Sequence, residues 1–167
     1  MTKKNYSKGY SLIELVIYIA LFVILSMAVM QSLISIMKTY SNAQSYRTIQ
    51  QNGELVMERT TRELRQADTL STAGSTFGTS PGVVTFSGQD VAGVPYTGTI
   101  GVSNGKVQVT IGGVTSDLTN NTVVVSSLIF SRIQSVPKEA VKMILTLTTA
   151  KAPFVTSSFY TTVILRE

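Results

Sequence analysis

The sequence predicts an α+β protein. One long N-terminal α-helix, transmembrane in its first half and amphipathic in its second, packs on a C-terminal antiparallel β-sheet domain. Three observations predict this. No Gly or Pro interrupts residues 10–52. Residues 15–37 carry no charge at all. All four Pro and ten of the twelve Gly lie beyond residue 68, where Ser and Thr fill 29 of 99 positions. The first two describe a helix and the third describes turns and strands. The chain then divides into a basic head (1–9), the apolar half of the helix (10–37), its amphipathic half (38–68) and a β-rich domain (69–167).

The head holds Lys3, Lys4 and Lys8. Glu14 is the one charged residue of segment 10–37. The apolar run behind it is long enough to cross a bilayer, which takes about 20 residues of helix. Lysines ahead of the run favour an N-terminus on the cytoplasmic side. Over the next segment the less polar positions recur at Tyr46, Ile49, Gly53, Val56, Thr60 and Ala67, with Met57 and Leu64 widening the stripe. Alternating steps of three and four are the period of an amphipathic helix. Glu58 with Arg62, and Arg59 with Glu63, are spaced as i,i+4 ion pairs. The two segments read as one helix over residues 11–68, roughly 85 Å long at 1.5 Å per residue.

Beyond residue 68 the expected strands are 82–87, 97–103, 106–111, 122–132, 141–149 and 157–166. Asn104-Gly105 joins two of them and has the chemistry of a two-residue hairpin turn. Gly112-Gly113 and Asn120-Asn121 mark further turns. Val107, Val109 and Ile111 alternate with Lys106, Gln108 and Thr110, which buries one face. Phe159, Val163 and Leu165 repeat that alternation. Residues 69–81 and 88–96 read as loops. The apolar face of the sheet needs a cover, and the amphipathic half of the helix is the available one.

Composition excludes most chemistry. The chain has no Cys and no His. A disulfide framework, a thiolate zinc site, a cysteine nucleophile and a Ser/His/Asp triad are all absent. Asp90 and Asp117 stand isolated, no cofactor is implied, and the expectation is a protein that is not an enzyme. Only 14% of residues are charged and the mean hydropathy is +0.25. Part of the surface is therefore built for lipid or for other subunits. The net charge of +5 is weak grounds for a nucleic-acid partner, because the head alone carries three of the positive charges.

The informative segment is Lys8-Gly9-Tyr10-Ser11-Leu12-Ile13-Glu14, followed at once by the apolar run. A carboxylate at the edge of a membrane span costs up to a few kcal/mol if immersed, about 3 on insertion scales, so Glu14 invites a partner. The segment resembles the class III signal peptide of type IV pilin-like proteins. In that family a short basic leader ends in Gly, the next residue is usually Phe or Met, and a Glu stands at the fifth mature position. Tyr10 takes the place of the commoner Phe. The run from Glu58 to Ala67 and the closing Phe159-Tyr160-Thr161-Thr162-Val163-Ile164-Leu165-Arg166 are similar to minor pseudopilins of the J type and W-type minor pilins. The chain departs from major pilins in lacking the paired Cys, the helix-kinking Gly and Pro, and a carboxylate-rich loop.

The resemblance implies a prepilin peptidase that cuts after Gly9 and methylates the new amine of Tyr10. It implies a single-pass precursor in the bacterial cytoplasmic (inner) membrane, later built into an extracytoplasmic pilus or pseudopilus filament. The implied partners are other pilin or pseudopilin subunits and the assembly platform. Glu14 would pair with the N-terminus of a neighbouring subunit, while the leader lysines Lys3, Lys4 and Lys8 would be cut away. The alternatives are an ordinary secretory signal cut after Ser26-Met27-Ala28, an uncleaved single-pass anchor for the β domain, and a competence-pilus subunit whose β domain touches DNA. The last would draw on Lys106, Arg132, Lys138, Lys142, Lys151 and Arg166. The Arg59, Arg62 and Arg65 cluster reads as a solvated helix face. Tyr18, Tyr40 and Tyr46 read as packing against neighbouring helices or marking the membrane interface.

Overall fold

The computed structural model describes residues 11–89, 92–135 and 138–165, the side chains of Ser135 and Lys138 excepted. The order of elements is α1 (Leu12–Gln66), β1 (Ala67–Thr76), β2 (Val83–Gln89), β3 (Pro95–Ser103), β4 (Lys106–Ile111), β5 (Val114–Asp117), β6 (Val123–Ser135), β7 (Lys138–Thr149) and β8 (Thr156–Ile164). Residues fall into two compact units, Met1–Ser41 and Asn42–Glu167.

In the first unit the Ser11 carbonyl accepts the Glu14 N–H at 3.0 Å and the Leu15 N–H at 3.2 Å, opening the helix. Every residue from 12 to 40 except Glu14 is exposed. An 18-residue window reaches a mean hydropathy of 2.7, and none of it is buried.

In the second unit, the amphipathic half of α1 packs against antiparallel strands. The buried helix residues are Ile49, Asn52, Gly53, Val56, Thr60, Glu63 and Leu64. The expected stripe is present with two changes: Tyr46 stays 54% exposed, and the polar Asn52 and Glu63 are buried. Arg59 and Glu63 form the expected pair at 2.9 Å, whereas Arg62 lies 3.8 Å from Glu63 instead of pairing with Glu58. The helix ends at Gln66, two residues short of the expected Asp68, because Ala67 turns inward as the first residue of a strand.

The strands form two sheets rather than the single one expected, in the orders β1-β2-β3-β4-β5 and β6-β7-β8. All pairings are antiparallel. Isolated backbone bonds join them: Gly78 N–H to the Phe130 carbonyl at 2.8 Å, Gly82 N–H to that of Leu128 at 2.7 Å, and Val125 N–H to that of Gly105 at 2.9 Å. One buried cluster joins Ile49, Val56 and Leu64 of α1 to Phe86, Ile100, Leu128, Phe130, Met143, Leu145 and Leu147 of the strands, all fully buried. A side chain of this size contributes about 1.5–3 kcal/mol when fully buried.

Several expected boundaries move. Residues 69–76 are strand, not loop. β1 buries only Ala67 and Leu70, so its Ser, Thr and Gly run shows no apolar alternation to read. Strand β2 reaches Gln89 and β3 begins at Pro95, where Gln89 pairs with Pro95. A Pro is tolerated as the first residue of a strand. The four residues of β5 are all exposed, which hides the strand in the sequence. Turn chemistry holds where expected: Asn104 (φ 51°) and Gly105 (φ 72°) join β3 to β4, and Gly112 (φ 57°) and Gly113 (φ 85°) join β4 to β5. Positive φ at both central residues is the hairpin requirement that favours Asn and Gly.

Candidate functional site

Glu14 stands in the first turn of α1. A carboxylate there faces the positive end of the helix dipole, worth about 0.3–1 kcal/mol at an exposed site. It is half-buried, although its neighbours Leu12, Ile13, Val16 and Ile17 are all exposed. Tyr18 lies one turn further on, and its hydroxyl donates to Glu14 Oε1 at 2.9 Å. No partner contacts Glu14 Oε2 among the described residues. Around and beyond this pair, Leu15, Leu21, Phe22, Leu25, Val29, Met30, Leu33 and Met37 are exposed on every side of the helix. An apolar surface of this extent needs lipid or other helices to cover it. Chemically, the arrangement is one hydrogen-bonded carboxylate, able to accept a cation, on an otherwise apolar shaft.

Lys3, Lys4, Lys8, Gly9 and Tyr10 lie outside the described residues. The sequence alone marks Tyr18 as a packing or interface residue; the structure adds its bond to Glu14. Its signal in the sequence was the four-residue spacing from Glu14, which puts both on one helix face.

The β domain offers a second candidate, an open cleft of about 520 Å³ lined by residues including Gln51, Asn52, Leu55, Leu118 and Asn120. Its charged side chains, Lys106 and Asp117, neutralise each other at 2.8 Å. Gln108 also donates to Asp117 at 2.7 Å. The hydrogen bonds from Lys106 and Gln108 hold the Asp117 carboxyl below the usual carboxylate range. Among the described residues no three Asp or Glu side chains gather as metal ligands.

Among the described residues, the basic side chains named for a nucleic-acid face are paired or lie on separate segments. Lys106 is paired, and Arg132 is bound to Glu139 and to Thr72 Oγ1. Arg59 and Arg62 both face the buried Glu63. Burial pushes the Glu63 carboxyl up, and the Arg62 guanidinium works against that rise. Lys142 and Lys151 are exposed on different segments. Arg166 lies outside the described residues, and the Lys138 side chain is not described.

Compared with known families, residues 4–30 match the prokaryotic N-terminal methylation motif, the type IV pilin signal. No curated protein and no solved structure matches the chain. The motif covers Glu14, Tyr18 and the apolar turns that follow. With the apolar helix and β domain it supports a type IV pilin-like substrate of prepilin peptidase. It implies a membrane-anchored precursor and assembly with other pilins, and it points to a structural subunit rather than an enzyme.

Proposed function

We propose that this chain is a minor pilin or pseudopilin, a structural subunit of a type IV pilus-like or type II secretion filament. It enters the cytoplasmic membrane as a single-pass precursor with residues 1–9 on the cytoplasmic side. Prepilin peptidase cuts after Gly9 and methylates the α-amine of Tyr10. Cutting removes Lys3, Lys4 and Lys8 and frees an amine that is cationic at neutral pH. The subunit then leaves the lipid by packing its apolar helix against those of its neighbours.

The observation that carries this reading is the methylation motif running straight into a helix whose exposed apolar surface holds one carboxylate, Glu14. A filament of such helices excludes water and lipid headgroups. A charge there must be paired, because breaking a buried pair costs about 3–5 kcal/mol. The methylated amine of a neighbour supplies the countercharge, and a misregistered neighbour does not. Glu14 thereby sets the register, while apolar packing supplies the driving force. The uncut leader would bring three lysines into the same core, so cleavage licenses assembly.

The test is mass spectrometry of the N-terminus of protein isolated from membranes with and without prepilin peptidase. Peptidase-dependent loss of residues 1–9, with one methyl group on Tyr10, is the expected result. An N-terminus at Val29 would indicate an ordinary secreted protein. An intact leader beside active peptidase would indicate a permanent anchor.

A further inference from the structure

We infer that Tyr18 is the positioning residue of Glu14: its hydroxyl holds Oε1 within the subunit and leaves Oε2 to receive the cationic N-terminus of a neighbour. The inference rests on the filament-subunit reading above and adds a residue to it. The bond is direct, 2.9 Å from the Tyr18 hydroxyl to Glu14 Oε1, within the ordinary hydroxyl range. Residues four apart share a helix face, so the contact needs no bend in the backbone. Tyr18 carries the only polar side chain in the two turns after Glu14, which otherwise read Leu-Val-Ile, then Ile-Ala-Leu-Phe. The next hydroxyl, Ser26, is twelve residues away, about 18 Å along the axis.

In an apolar surrounding the arrangement has a consequence. A carboxylate without water must find its hydrogen bonds inside the protein. A flexible Glu would otherwise seek them by swinging toward the headgroups, as long charged side chains near helix ends do. With Oε1 tied to a ring that has only two side-chain torsions, the carboxylate stays beside its own helix. The neighbour's cation then meets an acceptor that is already in place, and less conformational freedom is lost on pairing.

Tyr18→Phe in the full-length chain, in native membranes, removes one oxygen and keeps the ring. Isotope-edited infrared spectroscopy reads the Glu14 carboxylate, identified by its loss in Glu14→Gln. Filament incorporation and leader removal are measured on the same strains. The expected result is a shifted Glu14 carboxylate band, normal leader removal and incorporation lower by about tenfold, the lower bound for a hydrogen bond to a charged group. An unchanged band overturns the proposal. A shifted band with unchanged incorporation also overturns it, since the bond would then position nothing. Normal incorporation of Glu14→Leu overturns the assembly reading itself, whatever Tyr18→Phe does.

Discussion

The ring of Phe159 on β8 lies against the backbone of Gly53 in α1, so close that a Cβ on Gly53 would stand 2.2 Å from Phe159 Cζ. Two effects compete at this position. Ala in a helix interior is favoured over Gly by about 1 kcal/mol. Forcing a methyl into an occupied space costs about 1–3 kcal/mol. The ring must move by more than an ordinary packing adjustment, so the second effect wins. Gly53→Ala is expected to destabilise the unit that begins at Asn42 by up to about 2 kcal/mol in urea denaturation. Stabilisation would mean that the ring swings away freely and that Gly53 does not set the helix–sheet distance.

Asn52, the residue before it, fixes the same helix face by hydrogen bonds. Its Oδ1 accepts the Asn120 N–H at 3.1 Å, and its Nδ2 donates to the Thr48 carbonyl at 2.8 Å. Asn52→Ala removes both bonds and is expected to cost about 2 kcal/mol, about 1 for each. Asn52→Asp keeps an acceptor for Asn120 but sets a carboxylate against the Thr48 carbonyl at a buried site. At neutral pH it should cost more than the Ala variant and recover as the new carboxylate is protonated. Thermal denaturation at pH 7 and pH 4 separates the two variants.

These two residues show why the sequence was legible in part. Gly53, Val56 and Thr60 announce a buried face by period alone, and so do Val107 and Val109 on β4. The stripe does not reveal that Asn52 belongs to it, because the partner that satisfies its side chain lies 68 residues away. Glu63 is hidden for the same reason: its burial depends on Arg59 and on what packs over it. β1 and β5 escape notice because they are edge strands with few or no buried residues, and strand periodicity is a burial signal. At the candidate site, Glu14 stood out as a lone charge in an apolar run. Its bond to Tyr18 was implicit in a spacing of four, but tyrosine at a membrane edge has another ready explanation.

Glu63 and Asp117 make opposite contributions to the pH dependence of the β domain. Burial raises the Glu63 carboxyl above its ordinary 4.5, opposed by Arg62. The folded state therefore binds the Glu63 proton more tightly than the unfolded one. Its contribution is fully present below pH 4.5 and lost as pH rises through the folded value. The Lys106 and Gln108 hydrogen bonds lower the Asp117 carboxyl from 3.8. Its contribution is present above pH 3.8 and lost as pH falls through the folded value. Glu63→Gln should therefore flatten stability on the neutral side, and Asp117→Asn should flatten it on the acid side. Denaturation midpoints from pH 2.5 to 7.5 for both variants read this directly. Identical profiles for the two would remove the assignment.

The last prediction separates processing from assembly. The leader junction and Glu14 lie on the same short segment, yet they are proposed to act on different partners. Cleavage requires the peptidase to reach Gly9 in a single precursor, whereas Glu14 acts only when two helices meet. Glu14→Leu removes a charge that a lone span carries at a cost of up to about 3 kcal/mol, so the precursor should insert at least as well as before. Its leader should be removed at the normal rate. In a filament the same change leaves the neighbour's amine buried without a countercharge, a loss of about 3–5 kcal/mol. Incorporation should then fall by at least a hundredfold, since each 1.4 kcal/mol is a factor of ten. Glu14→Gln should fall between the two, because it can still accept a hydrogen bond from the amine but brings no charge. Immunoblots of sheared filaments and of membranes, run beside an N-terminal mass measurement, give both quantities from one culture. Equal incorporation of all three forms would show that apolar packing alone sets the register.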